Sequence, residues 1–245
     1  MAPTKTSESK IVPEFLHHTC LTVDEHDIEA TKDIPRLYVI ATHATTKAAK
    51  EFAHHALTSM GYDKADFAVY QEQTPDAEGW THGDGVIVYA KAPASQEFFV
   101  SIDTTLNTEN LCAQEDGSMI LPHGADHLQY ILQTKIDYRA DRAVTTQVQG
   151  AYLKRNDAIE AAKWCLLVDG PDDAEALYDQ FDAREDLSVP EDWPFGEDVV
   201  VHAVAYTGEN FLVSLRTPPA AYLKLSKHGR EKWHSAKQKA NEVSK

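Results

Sequence analysis

Two segments of the chain place aromatic rings, a glycine and a carboxylate in the same order. In these segments Trp80, His82 and Asp84 correspond to Trp193, Phe195 and Glu197. Two carboxylates in unlike environments can perform acid–base chemistry, and two tryptophans can line a pocket. The simpler interpretation is a tight turn, in which Gly83 and Gly196 adopt unusual backbone angles and each tryptophan covers the core. We expect a pocket mouth between the two copies, with no catalytic residue assigned.

Two further pairs of matched positions differ in chemistry. Tyr89 corresponds to His202, and Asp103 corresponds to Arg216. Such divergence is typical of an exposed or ligand-lining face, so Tyr89 and His202 join Trp80, His82, Asp84, Trp193 and Glu197 as candidate ligand-binding residues. Asp103 and Arg216 could pair across the halves, and an exposed pair contributes only about 0–1 kcal/mol.

Histidine is abundant, with twelve residues in the chain. His123 and His127 flank Asp126, and His17 and His18 lie close to Cys20. If Asp126 caps a helix, His123 precedes that helix and the pair loses the one-face geometry of a helical metal site. We therefore assign no metal ligands, and metal binding through the His123/His127 region remains a second alternative.

Familiar cofactor and nucleophile motifs are absent from the sequence. It contains no phosphate-binding Gly-x-x-x-x-Gly-Lys-Ser/Thr loop and no Gly-x-Ser-x-Gly elbow, and Gly83-Asp84-Gly85 leads into a strand. Cys165 lies on the apolar stripe of a predicted helix, which favours a packing role. We expect no cofactor.

Composition restricts the classes of partner. The 245 residues carry a formal charge of -16, which disfavours nucleic acid and acidic membrane surfaces. No apolar run is long enough to span a membrane, and the polar first residues lack a secretory signal. Three widely spaced cysteines favour a reduced compartment. We predict a cytoplasmic protein that binds a small molecule or a protein partner, in an unknown oligomeric state.

An internal repeat predicts the architecture that positions these residues. At an offset of 113, residues 80–104 match residues 193–217 at ten of 25 positions, and Ala48-Ala49-Lys50 falls on Ala161-Ala162-Lys163. The identical residues alternate along the chain, as Val86, Val88, Ala90 and Ala92 do against Val199, Val201, Ala203 and Ala205. This period of two predicts a hairpin in each copy with one buried face.

Helices are predicted before and after each hairpin. The first spans 45–60, with Thr45 or Thr46 as N-cap and Gly61 as its stop, and the second begins at Asp157 and Glu160 and ends at Gly170. Further helices are predicted over 126–142 and 219–243. Residues 66–71 and the runs 37–41 and 148–153 are predicted strands, and 176–181 stays ambiguous between helix and strand.

The predicted fold is α+β, an internal duplication of a strand-helix-strand-hairpin-helix unit whose two pseudo-symmetric halves pack together. Residues 1–35 form a tail, expected to be disordered over 1–10, and a surface arm. Residues 36–146 form the first repeat with a connecting helix, and 147–245 the second with a basic C-terminal helix. The segment from Pro218 onward carries seven of the 23 basic residues, so we expect this helix to dock on the acidic body, within a Debye length of about 8–10 Å.

The string from Trp80 to Pro93, with Glu97 to Asp103, resembles uncharacterised duplicated proteins of filamentous fungi that have no assigned activity. The resemblance covers about residues 36–218 and brings no catalytic residues. We therefore predict a non-enzymatic binding or interaction protein with a site between the repeats. The first alternative is a small acid–base enzyme, such as a lyase, isomerase or cyclase, that uses His82 and Asp84.

Overall fold

The computed structural model describes residues 10–25, 35–74, 79–139, 143–167, 173–185 and 193–218. They confirm a mixed α+β protein. The strands are β1 (Phe15–Asp24), β2 (Arg36–His43), β3 (Val69–Glu72), β4 (Val86–Lys91), β5 (Glu97–Leu106), β6 (Cys112–Ala113), β7 (Met119–Ile120), β8 (Gln129–Asp137), β9 (Ala143–Tyr152), β10 (Tyr178–Ala183), β11 (Val199–Ala205) and β12 (Asn210–Arg216). The helices are α1 (Thr46–Ser59), α2 (Arg155–Trp164) and the short α3 (Asp173–Leu177).

Ten of these strands form two antiparallel five-stranded sheets with the same strand order. Sheet I runs β2-β1-β5-β4-β3, and sheet II runs β9-β8-β12-β11-β10. In each sheet, the first two strands along the chain precede a helix. The last two strands, β4 and β5 in sheet I and β11 and β12 in sheet II, pair as a hairpin that includes the middle strand of the sheet. The short β6–β7 pair lies between the sheets in the chain.

Both sheets interrupt their ladders at corresponding places. The β4–β5 register shifts between Val86 and Val88, and the β11–β12 register shifts between Val199 and Val201. The extra residues at these bulges, Ile87 and Val200, are buried as well. The predicted hairpins are therefore confirmed, but a bulge adds apolar contacts that strict alternation does not predict.

The ladders give a residue-by-residue correspondence between the sheets. Cys20 pairs with Val39 and Ser101, while Leu132 pairs with Val148 and Ser214. We call residues at the same ladder position ladder equivalents. The pairs are His18/Tyr130, Cys20/Leu132, Val39/Val148, Ser101/Ser214 and Asp103/Arg216. Leu16 and Leu128 precede the first of these pairs by two residues each, and Leu128 lies just before β8.

Three apolar clusters hold the layers together. In the first, α1 packs on sheet I, where the fully buried Ala53 and Ala56 meet Val88 and Ala90. In the third, α2 packs on sheet II in the same way. The second cluster lies between the sheets and contains Leu16, Cys20, Val39, Leu111, Leu128, Tyr130, Leu132, Val148 and Ala151. Small alanines allow each helix to approach its sheet closely, as the sequence predicts.

The predicted surface arm is wrong over the part that the structure describes. Residues 15–24 form β1, which pairs with β2 on one side and β5 on the other. His18, Thr19 and Cys20 are fully buried in it. The polar residues in this segment do not resemble the sequence of a buried strand. They can nevertheless be buried, because their side chains form hydrogen bonds inside the protein.

The predicted helix over 126–142 is also wrong, since residues 129–137 form β8. Gln129, Tyr130, Ile131 and Leu132 are all buried in this strand. Ile131 contacts the α2 cluster and Leu132 contacts the cluster between the sheets. A strand covered on both faces loses its period of two, and its apolar spacing then imitates a helix.

The first predicted helix is confirmed and the start of the second is corrected. Thr45 caps α1 by accepting the N–H of Ala48, and Gly61 follows with a φ of 86°. Helix α2 instead begins at Arg155, and its N-cap Lys154 makes no side-chain capping bond. Helices α1 and α2 thus begin 109 positions apart, so the match of Ala48-Ala49-Lys50 with Ala161-Ala162-Lys163 is misplaced by about one turn.

The remaining segments complete the outline. The predicted strand over 66–71 begins later, at Val69, after a short 3-10 turn, and the ambiguous region holds both α3 and β10. Gly170, residues 1–9 and the predicted helix over 219–243 lie outside the described residues. Among the described helices, none combines the length and apolar character needed to cross a membrane.

Candidate functional site

A buried polar chain joins the two sheets at the centre of their contact. The imidazole of His18 bonds Thr42 through Nδ1 at 2.9 Å and Thr105 through Nε2 at 2.8 Å. Thr42 Oγ1 in turn lies 2.8 Å from the hydroxyl of Tyr130. The rings of His18 and Tyr130, which are ladder equivalents, meet edge to face with centroids 5.5 Å apart.

Burial determines the protonation states of His18 and Tyr130 in this hydrogen-bond network. It lowers the pKa of His18 to about 3, with a smaller effect from His17. It raises the pKa of Tyr130 to about 12. His18 is therefore a neutral imidazole and Tyr130 a neutral phenol at physiological pH. A neutral ring has one donor and one acceptor nitrogen, and the two threonine hydroxyls can match either tautomer.

To one side of this centre a carboxylate closes the contact between the sheets. Asp103 on β5 accepts the backbone N–H of Val148, on the edge strand β9, at 2.7 Å. Glu109 accepts the N–H of Leu153, just beyond the same strand, at 3.3 Å. These bonds satisfy outward-facing groups of a sheet edge that would otherwise need water. We call this region the closed side.

On the other side the two sheets separate and leave a cleft of about 630 Å³. The first half contributes the start of β2, from Pro35 to Val39. The second half contributes the face of sheet II that is turned toward β2, the residues just before β11 and the first residue of α2. Its lining residues are Leu132, Thr134, Thr146, Arg155, Phe195, Asp198, Val199, Leu212, Ser214, Leu215, Arg216 and Thr217. We call this region the open side.

The charge of the cleft is opposite to that of the protein as a whole. Arg36, Arg155 and Arg216 line it, against the single carboxylate of Asp198. Asp198 forms an ion pair with Arg216. Within the described residues, Arg36 and Arg155 form no ion pair with a carboxylate. The lining therefore presents two guanidinium groups, one from each half, in a chain whose formal charge is -16.

The predicted site residues of the first half form one ring cluster. The Trp80 and His82 rings meet edge to face at 4.9 Å, and His82 stacks on Tyr89 at 3.8 Å. His82 Nε2 bonds the side chain of Gln71 on β3, and Trp80 donates its indole N–H to the carbonyl of Gly83 at 3.2 Å. Asp84 is exposed in the turn that enters β4.

The second half repeats this geometry with the ring types exchanged. Trp193 meets Phe195 at 5.0 Å, and Phe195 stacks on His202 at 3.8 Å. His202 also lies 3.3 Å from Asp182 and from Asn210 through its two nitrogens. The carboxylate of Glu197 is exposed, and its backbone carbonyl accepts from Arg184. A histidine and an aromatic ring thus stack in each half, in opposite order.

Two expectations about these residues are corrected. The ring face carrying Tyr89 and His202 is buried rather than exposed. Arg216 pairs with Asp198 in its own half, while Asp103 bonds Val148 and not Arg216. The pairing of Arg216 follows from local register, since Asp198 directly precedes β11 beside the end of β12.

None of the seven candidate ligand-binding residues lines the cleft. Trp80, His82 and Tyr89 come together in the first half, and Trp193 and His202 in the second, through Phe195. Only Phe195, which the sequence analysis matched to His82, reaches the cleft. The acid–base alternative therefore lacks its pair of carboxylates at this cavity.

Sequence reasoning did not select the arginines of the cleft. Arg36 and Arg155 each begin an element, and they lie in segments far apart in the chain. The available signal was the charge reversal at the matched positions Asp103 and Arg216, which the sequence analysis interpreted as an ion pair.

The histidine and cysteine candidates also have observable surroundings. His127 Nδ1 lies 2.5 Å from Asp126 Oδ1 on the surface. In the part of the chain that the structure describes, no group of three or more His, Cys, Asp or Glu side chains is arranged to hold a metal ion. Burial raises the pKa of Cys165 to about 11 and that of Cys20 further. Both thiols are protonated at neutral pH, which disfavours a nucleophilic role.

Comparisons with family models, curated proteins and solved structures return no match for this chain. The resemblance to duplicated fungal proteins stays a prediction.

Proposed function

We propose that this protein is a non-enzymatic cytoplasmic binding protein whose small-molecule ligand occupies the cleft on the open side. The observation that carries the proposal is the cavity of about 630 Å³ lined by both halves. This volume is within the range of about 300–1,000 Å³ that small-molecule sites have. A ligand there would contact both β2 and sheet II, and would therefore stabilise their association.

The chemistry of the lining favours binding over catalysis. The described lining residues include neither histidine nor cysteine, and their one carboxylate is paired with Arg216. Hydroxyl groups of Tyr38, Thr134 and Ser214 alternate with aliphatic side chains. This mixture of apolar surface and a few fixed polar groups is typical of ligand recognition.

We also propose that the two halves arose by duplication, so that the cleft is the open member of two related spaces. The equal strand order of the sheets supports this proposal. So do the register shifts at corresponding places and the inclusion of both members of Cys20/Leu132 and Val39/Val148 in the cluster between the sheets. An experimental structure in which the two halves did not superpose would contradict it.

The binding proposal is tested by native mass spectrometry of the protein purified from its own cells. The comparison variant is Thr146→Trp, which places a large ring in the cleft. Thr145→Trp is the matched control, because residue 145 is exposed on the opposite face of β9 and does not line the cleft. We expect a small-molecule adduct on the wild type and on the control, and none on Thr146→Trp.

A second blocking variant guards against a folding defect. Leu37→Trp fills the cleft from the other half, and circular dichroism with thermal melting confirms the fold of each variant. Absence of any adduct, or an adduct that persists in both blocking variants, would contradict a ligand in this cleft. Copurification of a protein instead would favour the partner interpretation.

A further inference from the structure

We infer that the cleft recognises an organic oxyanion, a carboxylate or phosphate ester attached to an apolar body. This inference rests on the proposed binding function and specifies its ligand class. It depends on three features of the lining: the position of its arginines, the pairing of its carboxylate and the distribution of its apolar groups.

Arginine is concentrated at this cavity. Of the five arginines in the described residues, Arg36, Arg155 and Arg216 line it, while Arg139 and Arg184 do not. Acidic residues outnumber basic ones by 39 to 23 in the chain, yet only one acid lines the cleft. The local field thus attracts anions that the rest of the surface repels.

The arginines differ in what they already contact. Arg216 is held by Asp198, so its charge is largely balanced. Arg36 begins β2 and Arg155 begins α2, and neither has a carboxylate partner among the described residues. A guanidinium offers donors in a planar fork that fits carboxylate and phosphate oxygens. An oxyanion between Arg36 and Arg155 would therefore join the two halves.

The remainder of the lining fits an apolar body. Leu132 and Leu212 contribute aliphatic surface from sheet II, and Phe195 adds an aromatic ring from the segment before β11. Leu37 and Val39 contribute apolar surface from β2. Thr134 and Thr146, whose hydroxyls lie 3.0 Å apart, add polar groups on one wall. A bare inorganic ion would leave this surface without a partner.

The ladder equivalents give an independent reason for an anion. Where the closed side has Asp103, the open side has Arg216. Arginine cannot accept the N–H of a neighbouring strand, because it has no acceptor atom. The exchange removes the bond that closes the space and also removes a carboxylate that would repel an anion. Because Asp198 already pairs with Arg216, the charge available to an anion comes from Arg36 and Arg155.

The test compares three probes that share a ring system: naphthylacetate, naphthyl phosphate and the neutral naphthylacetamide. Binding to the full-length protein is measured by titration calorimetry and by protein-observed NMR. We expect both anions, or one of them, to bind at least tenfold more tightly than the amide. Stronger binding of the phosphate or of the acetate identifies which oxyanion the site prefers.

Variants locate the interaction. We expect Arg36→Gln and Arg155→Gln to weaken anion binding roughly two- to fivefold each, as for partly exposed charge pairs. Arg139→Gln removes a described arginine outside the cleft and should leave binding unchanged. Raising the salt concentration should weaken the binding of the anions and leave the binding of the amide unchanged.

Three results overturn the inference in distinguishable ways. If the amide binds as tightly as the anions, or if the native ligand is neutral or cationic and is excluded by Thr146→Trp, the oxyanion assignment fails while the proposed function stands. If no probe binds and no native ligand is found, both fail together. Anion binding that is insensitive to Arg36→Gln and Arg155→Gln also overturns the assignment to this cleft.

Discussion

The closed and open sides of the contact between the sheets are built from ladder equivalents and differ in outcome. On the closed side, Asp103 on β5 holds the edge strand β9 through the N–H of Val148. On the open side, Arg216 occupies the corresponding position on β12 and pairs with Asp198, and β2 stands away to leave the cleft. The closed side, which has the acceptor Asp103, is a filled contact. The open side, which has the donor Arg216 at the equivalent position, is a cavity.

The comparison indicates how two halves with the same strand order can differ in what they form. The apolar centre of the contact uses equivalent residues from both sheets, and this shared packing holds the halves together. The polar positions at its margins are free to diverge, because exchanging them changes the contact locally without removing the core. The predictions below test each part of this division.

The largest expected effect concerns the shared apolar centre. Leu16→Ala and Leu128→Ala each remove a buried side chain, with exposures of 0% and 4%, from the cluster between the sheets. We expect each to lower the free energy of unfolding by about 2–5 kcal/mol, as for large-to-small core substitutions. Urea denaturation monitored by fluorescence measures both.

Leu106→Ala is the control, because Leu106 is 57% exposed. Its effect should lie within about 0.5 kcal/mol of zero. A loss below 1 kcal/mol in only one of the two core variants would show that the halves do not contribute equally to their contact.

The second prediction compares His18 with its ladder equivalent Tyr130. Folded His18 has a pKa of about 3, whereas the unfolded residue titrates near 6.5. The unfolded chain therefore binds more protons between these values, so the stability that His18 provides is complete above pH 6.5 and declines as pH falls toward 3. The slope should approach about 1.4 kcal/mol for each pH unit.

Denaturation at pH 7, 6 and 5 measures this slope in the wild type and in His18→Gln. Burial also lowers the pKa values of His17 and His43, so a smaller slope of the same sign should persist in the variant. Tyr130→Phe should shift the curve by about 1 kcal/mol at every pH through loss of its bond to Thr42. If the free energy of unfolding depended on pH in the same way in the wild type and in His18→Gln, the lowered pKa of folded His18 would be contradicted.

The third prediction addresses the polar margins directly. Asp103→Ala removes a charged acceptor from a partly buried N–H and should cost about 1–3 kcal/mol. Arg216→Ala removes an ion pair whose partners are both about half exposed, and should cost only about 0–1 kcal/mol. Asp103→Asn retains an acceptor, so its stability should lie between those of the wild type and Asp103→Ala. Equal losses for Asp103→Ala and Arg216→Ala would remove the distinction between the two sides.

Local patterns predicted the elements whose contacts are local. The hairpins over 86–106 and 199–216 followed from alternation and turn residues, and α1 followed from its apolar stripe and Thr45. Strands β1 and β8 were missed although each pairs with the next strand along the chain, because each is also covered by a distant one: His18 pairs with Asp103, and Tyr130 with Arg216. Burial on both faces removed the alternation that identifies a strand.

The candidate site was less predictable than the fold. The repeat predicted that the two tryptophan segments meet between the copies, whereas the ring contacts observed, Trp80 with His82 and Trp193 with Phe195, are made within one turn of each half. The cleft depends on how two sheets pack, and the sequence does not specify which faces meet. A fixed offset of 113 also misaligned the helices, since a shift of four residues keeps a helical stripe on nearly the same face.

The smallest expected effect concerns the two helix starts, which differ in one capping bond. Thr45 accepts the N–H of Ala48 in α1, and Lys154 offers no acceptor in α2 although its backbone is extended as an N-cap requires. We expect Lys154→Ser to stabilise the protein by about 0.5–1 kcal/mol and Thr45→Ala to destabilise it by about 1 kcal/mol. Thermal and urea denaturation measure both changes.

Lys154→Ala separates capping from charge. It removes a positive charge from the N-terminal end of the helix dipole without adding an acceptor, so it should gain less than Lys154→Ser. If the two variants were equally stable, the charge of Lys154, and not its missing hydroxyl, would account for the difference between the helix starts. If Lys154→Ser is the more stable, a hydroxyl side chain at the N-cap suffices to give α2 the same start as α1. The difference between Thr45 and Lys154 is then, like that between Asp103 and Arg216, a polar difference outside the shared core.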